Sequence, residues 1–192
     1  MECAHFHYRG CWGSQGNYHI HTIPDDVRAA MDEITNGNYP VVDEKKLVLI
    51  GHSLGGWAAI LAGAVDPRPR AVAALCAVTD PRMFPLNDPG YAQFFTPWLS
   101  GITPEELSEQ WRDLGEEFSP LAQAKKISPR PLLIVHAETD ESVSVEHSHA
   151  LFENSLEPTD IHIHPDANHA FTWHRPWLRE TVLNWLDHLP LV

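Results

Sequence analysis

Residues 46–60 read KLVLIGHSLGGWAAI. An apolar, β-branched run stops at Gly51, and a run of good helix formers begins three residues later, with Ser53 between them. Folding alone gives no reason for that arrangement, since each glycine inside a helix costs about 1 kcal/mol relative to alanine. Gly51-His52-Ser53-Leu54-Gly55 is G-x-S-x-G: a strand-to-helix turn so sharp that the serine is strained, with small residues on either side to keep strand and helix apart. Such a turn exposes a hydroxyl at a helix N-terminus, where N–H groups and the helix dipole favour a developing negative charge. The flanks LVLI and WAAILAGAV are the context in which the motif carries meaning.

Around this stretch the 192 residues fit one domain with a sizeable core. A net charge of −13 without a lysine or arginine cluster argues against nucleic acid and anionic membrane surfaces. It suits a small neutral or cationic substrate better. No apolar run reaches the ~18 residues of a membrane span, and MECAHFHYRG lacks the regions of a signal peptide. Three cysteines, an odd number without close spacing, point to free thiols and a cytoplasmic setting.

Alternating elements predict the class of fold. Cys3 to His7 reads as a short strand before the turn RGCWGSQG, and Pro24 to Ile34 as a helix closed by Asn36-Gly37. Strands follow at 46–50, 71–78, 131–137 and 161–164, with helices after Ser53, over Val145 to Phe152 and over Pro176 to Leu189. This is α/β: a mostly parallel sheet of about five strands with helices on both faces. The rhythm breaks at about 82–128, where Phe84, Tyr91, Phe94, Phe95, Trp98, Trp111 and Phe118 accompany a capping box at Thr103–Glu106. A small helical lid over the carboxyl edge of the sheet is expected there, most of its aromatics forming its own core.

A serine hydroxyl at neutral pH needs a base, and the base needs an orienting acid. The loop after PLLIVHA offers Glu138, Asp140 and Glu141; Asp140, at the apex, is the expected acid. The loop after IHIH, PDANHAF, places His169 as general base. His52 is expected to point away from the serine's face. His162 with His164, and His19 with His21 if that segment is extended, have two-residue spacing, but no third ligand follows, so surface histidines and no metal are expected.

FHYRGCWGSQG, LVLIGHSLGG, PLLIVHAETDESV and PDANHAF together resemble the α/β-hydrolase superfamily, in particular single-domain bacterial esterases of the dienelactone-hydrolase-like kind. The resemblance implies a catalytic triad of Ser53, Asp140 and His169, no cofactor, and ester hydrolysis through an acyl-enzyme. The Leu54 N–H would supply half the oxyanion hole. Members usually carry more strands, and a His-Gly loop that gives the second donor, before the equivalent of HFHYRG. The chain is therefore expected to be a fragment or a minimal hydrolase. In the minimal case the HFHYRG strand pairs with LVLIG and the N–H of Gly10 or Cys11 replaces the lost donor; in the other, the open edge pairs across a homodimer. A thioesterase, peptidase or perhydrolase, or a non-catalytic binding protein, are the competing readings.

Overall fold

The computed structural model describes residues 2–190. Four strands, β1 (Val48–His52), β2 (Ala71–Leu75), β3 (Leu132–Ala137) and β4 (Thr159–His164), form one parallel sheet in the order β1-β2-β3-β4. Among the described residues, seven α-helices accompany it: α1 (Ile23–Ile34), α2 (Leu54–Val65), α3 (Pro89–Ala92), α4 (Pro104–Arg112), α5 (Pro120–Gln123), α6 (Glu146–Asn154) and α7 (Arg175–Asp187).

Strand composition follows position. β2 and β3, covered on both faces, are apolar and buried nearly throughout, whereas β1 and β4 at the edges are only partly buried. Alternate residues face opposite layers. Ala71, Ala73, Leu133 and Val135 pack with Trp185 and Leu186 of α7. Val72, Ala74, Leu132 and Ile134 pack with Ala59 and Ile60 of α2 and Leu151 of α6. The second face is wider, because α1 lays Val27 and Met31 against Trp57, Ala58 and Leu61 of α2.

Between β2 and β3 lies the expected insertion. Phe84, Leu86, Ala92, Leu107 and Trp111 are buried and join the core of α2 through Trp57. Two indole N–H groups pin it, Trp57 donating to the Phe118 carbonyl and Trp111 to that of Pro81, each at 2.9 Å. The capping box of α4 forms as read: Glu106 N–H donates to Thr103 Oγ1 and Thr103 N–H to the Glu106 carboxylate. Phe94 and Trp98 remain exposed.

The amino-terminal strand does not form. Residues 2–7 have no regular structure, and β1 has β2 as its sole partner among the described residues. The physical reason lies in the segment itself. Phe6, still 44% exposed, packs edge-on against Tyr8, and the histidines beside it leave no apolar face to bury. The following turn is instead held by Arg9, whose backbone N–H and guanidinium both bind the Asp26 carboxylate on α1. Gly10 (φ +69°) lets that turn lie against the backbone of Asn17 and Tyr18, where a Cβ would collide with both. The turn meets the insertion through a bridge between Cys11 and Leu99 and the stacking of Trp12 on Trp98, 4.5 Å between ring centres. Nor is NYHIHT extended: Ile20–Thr22 is a 3-10 turn, with the His19 and His21 rings 5.0 Å apart. No helix among the described residues is long and apolar enough to cross a membrane.

Candidate active site

Ser53 joins β1 to α2 with φ 58° and ψ −123°, a region L-residues rarely occupy. The turn is fixed on every side. Ser53 N–H donates to the Leu75 carbonyl at 2.8 Å, and the Ser53 carbonyl accepts from Gly56 and Trp57 at 3.0 and 3.1 Å. A Cβ on Gly51 would land inside the Gly55 carbonyl, and one on Gly56 would come within 2.6 Å of Ala77 Cβ. Gly55 is different: a Cβ there would meet only the Tyr8 hydroxyl, at 3.8 Å. The glycines that sterics demand are therefore 51 and 56, not 51 and 55. Leu54 and Gly55, at the start of α2, keep N–H groups that no intrahelical carbonyl can reach.

Asp140 follows β3 and its side chain is fully buried. Its Oδ1 accepts from the N–H groups of Ser142 and Val143, both at 2.8 Å, and its Oδ2 from His169 Nδ1 at 2.7 Å. His136 Nε2 lies 3.3 Å from the same Oδ2. Burial alone would raise this carboxyl, but the bonds from His136, His169, Val143 and Ser142 outweigh it and hold it well below the usual carboxylate range. Of the three acids in this loop, Asp140 is thus the one joined to the histidine ring.

His169 follows β4 in a loop anchored by buried Ala167 and Phe171. Thr139 donates to the Ala167 carbonyl at 2.7 Å, tying the acid loop to the histidine loop. With its Nδ1–H given to the carboxylate, His169 presents the lone pair of Nε2. The side chain is 17% exposed. No hydrogen bond joins Ser53 to His169; the two follow the opposite edge strands β1 and β4, and both lie at the carboxyl edge of the sheet.

The amino-terminal turn does not supply the donors expected of it. Gly10 N–H is given to the Gln15 carbonyl at 3.0 Å, and Cys11 N–H to Tyr8 O at 2.9 Å and Ser14 Oγ at 3.1 Å. Both are spent on closing their own turn, because the strand that would have carried them to the serine is absent. What the turn does bring near α2 is Tyr8, whose hydroxyl makes no hydrogen bond among the described residues. Burial pushes that hydroxyl up to about 12, so it is a neutral donor at neutral pH.

Three further side chains crowd Asp140 and His169. His52, expected to face away, instead donates from Nε2 to the His169 carbonyl at 2.8 Å, its ring 4.5 Å from that of His169. Cys76 is buried just past β2, at φ 44°. His136, buried within β3, accepts at Nδ1 from Ser148 (2.6 Å) and donates from Nε2 to the Val143 carbonyl (2.9 Å). The signal for His136 was present in PLLIVHA, where a polar ring in a buried apolar strand demands partners. Nothing in AVAALCAV distinguishes Cys76 from a small core residue.

A parallel sheet covered by helices, a strained serine after its first strand, and an acid and a histidine in the loops after its third and fourth define an α/β hydrolase. The chain belongs to the prolyl oligopeptidase family, whose pattern matches residues 11–189. It is 26% identical over 184 residues to the uncharacterized protein YfhR of Escherichia coli O157:H7, covering 94% of this chain and 58% of that protein. The chain thus spans little more than half of that relative's length. Among solved structures, the α/β hydrolase GrgF from Penicillium sp. sh18 superposes with a TM-score of 0.74 at 19% identity, over 94% of this chain and 77% of the other. The esterase domain of a Rhodothermus marinus protein superposes at 0.62 with 23% identity, over 84% of this chain and 67% of the other.

Proposed function

We propose that this chain is a serine hydrolase that cleaves carboxylic esters through an acyl-enzyme. The observation that carries the reading is the 2.7 Å bond between His169 Nδ1 and the buried Asp140 carboxylate, at the same edge of the sheet as a serine held at φ 58°. Ser53 Oγ attacks the carbonyl carbon while His169 Nε2 takes its proton, then returns it to the departing alkoxide; water repeats the sequence to release the acid. Asp140 keeps the ring in the tautomer that leaves Nε2 free, and stabilises the imidazolium. The Leu54 N–H faces the oxyanion, and the Tyr8 hydroxyl is its partner in place of Gly10 or Cys11. No metal or cofactor takes part in these steps.

Ester rather than amide cleavage is the lighter demand on this site, since an alkoxide leaves with less help from His169 than an amine does. The family's name favours a second reading, a peptidase using the same residues. The cysteines, none of them paired, fit a reducing cytoplasm.

The test is covalent. A fluorophosphonate should label Ser53 and nothing else, Ser53→Ala should lose both label and turnover, and a short p-nitrophenyl ester should be cleaved faster than a peptide p-nitroanilide. An active preparation whose Ser53 stays unlabelled refutes the assignment; faster anilide cleavage selects the peptidase. Tyr8→Phe should lower kcat about 10²-fold with little change in KM.

A further inference from the structure

Beside the triad, one ring nitrogen each of His52 and His169 and the sulfur of Cys76 lie within 4.8 Å of one another. We propose that these three side chains form a capture site for a thiophilic divalent ion of the Zn²⁺ kind, and that occupation switches the hydrolase site off. The capture stands on geometry alone; the switching rests on the hydrolase reading above.

The donor set is chemically selective. Two imidazoles and a thiolate suit zinc and its neighbours rather than Mg²⁺ or Ca²⁺, which seek oxygen. Tetrahedral bonds to sulfur at about 2.3 Å and nitrogen at about 2.0 Å need donors about 3.3 to 3.5 Å apart, so the side chains need close by no more than about 1.5 Å. Three protein ligands leave the fourth position for water. A neighbouring set, Cys76, His136 and Asp140, has equally close atoms. It is the poorer site, because both nitrogens of His136 are already bonded, to Ser148 and Val143, and its side chain, like that of Asp140, is fully buried. His52, by contrast, is exposed, and its Nε2–H is given to a carbonyl, leaving the Nδ1 lone pair free.

Binding converts the Cys76 thiol to a thiolate, its proton passing to solvent as the sulfur–metal bond forms. Either nitrogen of His169 serves the switch. Metal at Nε2 occupies the lone pair that would take the serine proton, and metal at Nδ1 displaces Asp140. Removal of the ion restores the base.

Cobalt(II) is the probe for the first half. Wild type and Ser53→Ala should both show a thiolate-to-cobalt charge-transfer band, which Zn²⁺ abolishes by displacement. Cys76→Ser should lack the band, and His52→Gln, at an exposed position, should weaken Zn²⁺ at least about tenfold in competition with a chelator. No band in folded wild type, or a band that survives Cys76→Ser, overturns the site; so does unaltered Zn²⁺ affinity in His52→Gln. For the second half, Zn²⁺ should slow fluorophosphonate labelling of Ser53, and less so in His52→Gln. Labelling indifferent to bound Zn²⁺ overturns the switch. If Ser53 is never labelled even with chelator present, the hydrolase reading falls while the cobalt spectrum still decides the capture site.

Discussion

Asp140 accepts three hydrogen bonds on two oxygens with His136 Nε2 3.3 Å from Oδ2, and the unequal importance of these four neighbours can be read from what each touches. His169 is the one that would carry the reaction's proton, so Asp140→Asn, which presents the wrong tautomer partner, should lower kcat about 10⁴-fold. Glu138→Gln, outside the network, should leave it near wild type. His136 acts through Asp140 and is a positioning residue. Its removal as His136→Phe deletes one of these four neighbours and should cost about 10 to 100-fold in kcat with KM held. His136→Gln should recover part of that loss, which a purely space-filling role would not allow. The neighbouring His147 makes a prediction about stability instead. Its Nδ1 accepts from the Thr79 N–H at 3.1 Å, and burial pushes the ring down to about 4. Unfolding returns it to about 6.5, so the unfolded chain binds the extra proton as pH falls between those values. Stability from this group is complete above pH ~6.5 and should shrink by up to about 3 kcal/mol on going down to pH ~4. His147→Asn, which keeps an acceptor for Thr79 but cannot titrate, should remove one proton's worth of slope from urea-derived stability over that window.

At the scale of elements, the turn between β1 and α2 separates two kinds of glycine. Gly51→Ala drives a methyl into the Gly55 carbonyl and should cost more than about 3 kcal/mol, or prevent folding. Gly55→Ala meets only ordinary contact with Tyr8 and should be neutral, or stabilising by up to about 1 kcal/mol. Equal destabilisation in urea titrations would show that Gly55 is steric after all. This is also where legibility from sequence ends. LVLI, AVAAL, PLLIVHA and IHIH declared their strands because buried parallel strands are continuous apolar runs, and no boundary moved by more than three residues. Asp140 and His169 were legible because each stands in a loop directly after such a strand. Cys3–His7 misled because alternation over so few residues is weak evidence without an apolar face to bury. His52 and Cys76 were invisible as neighbours of His169, since their proximity arises from the register of β1 on β2, where His52 pairs with Leu75.

For the molecule as a whole, the amino-terminal turn and the insertion behave as one body set on the sheet. Besides the tryptophan stack, Trp12 N–H donates to Trp98 O, Ser100 N–H to Gly10 O and Tyr18 N–H to Ser100 O, at 2.7 to 2.9 Å. Trp12→Ala should therefore speed amide exchange at Ser100 and Tyr18, while amides of β2 and β3, which open only on global unfolding, keep their protection. Exchange that rises equally in the strands would mean the seam supports the entire fold. The stacked pair has one more property. Two indoles 4.5 Å apart and 17° from parallel are close enough for their electronic transitions to mix. The couplet this produces in circular dichroism belongs to neither ring alone and disappears when they part. The molecule thus carries its own optical gauge of whether the insertion is seated, readable without a dye.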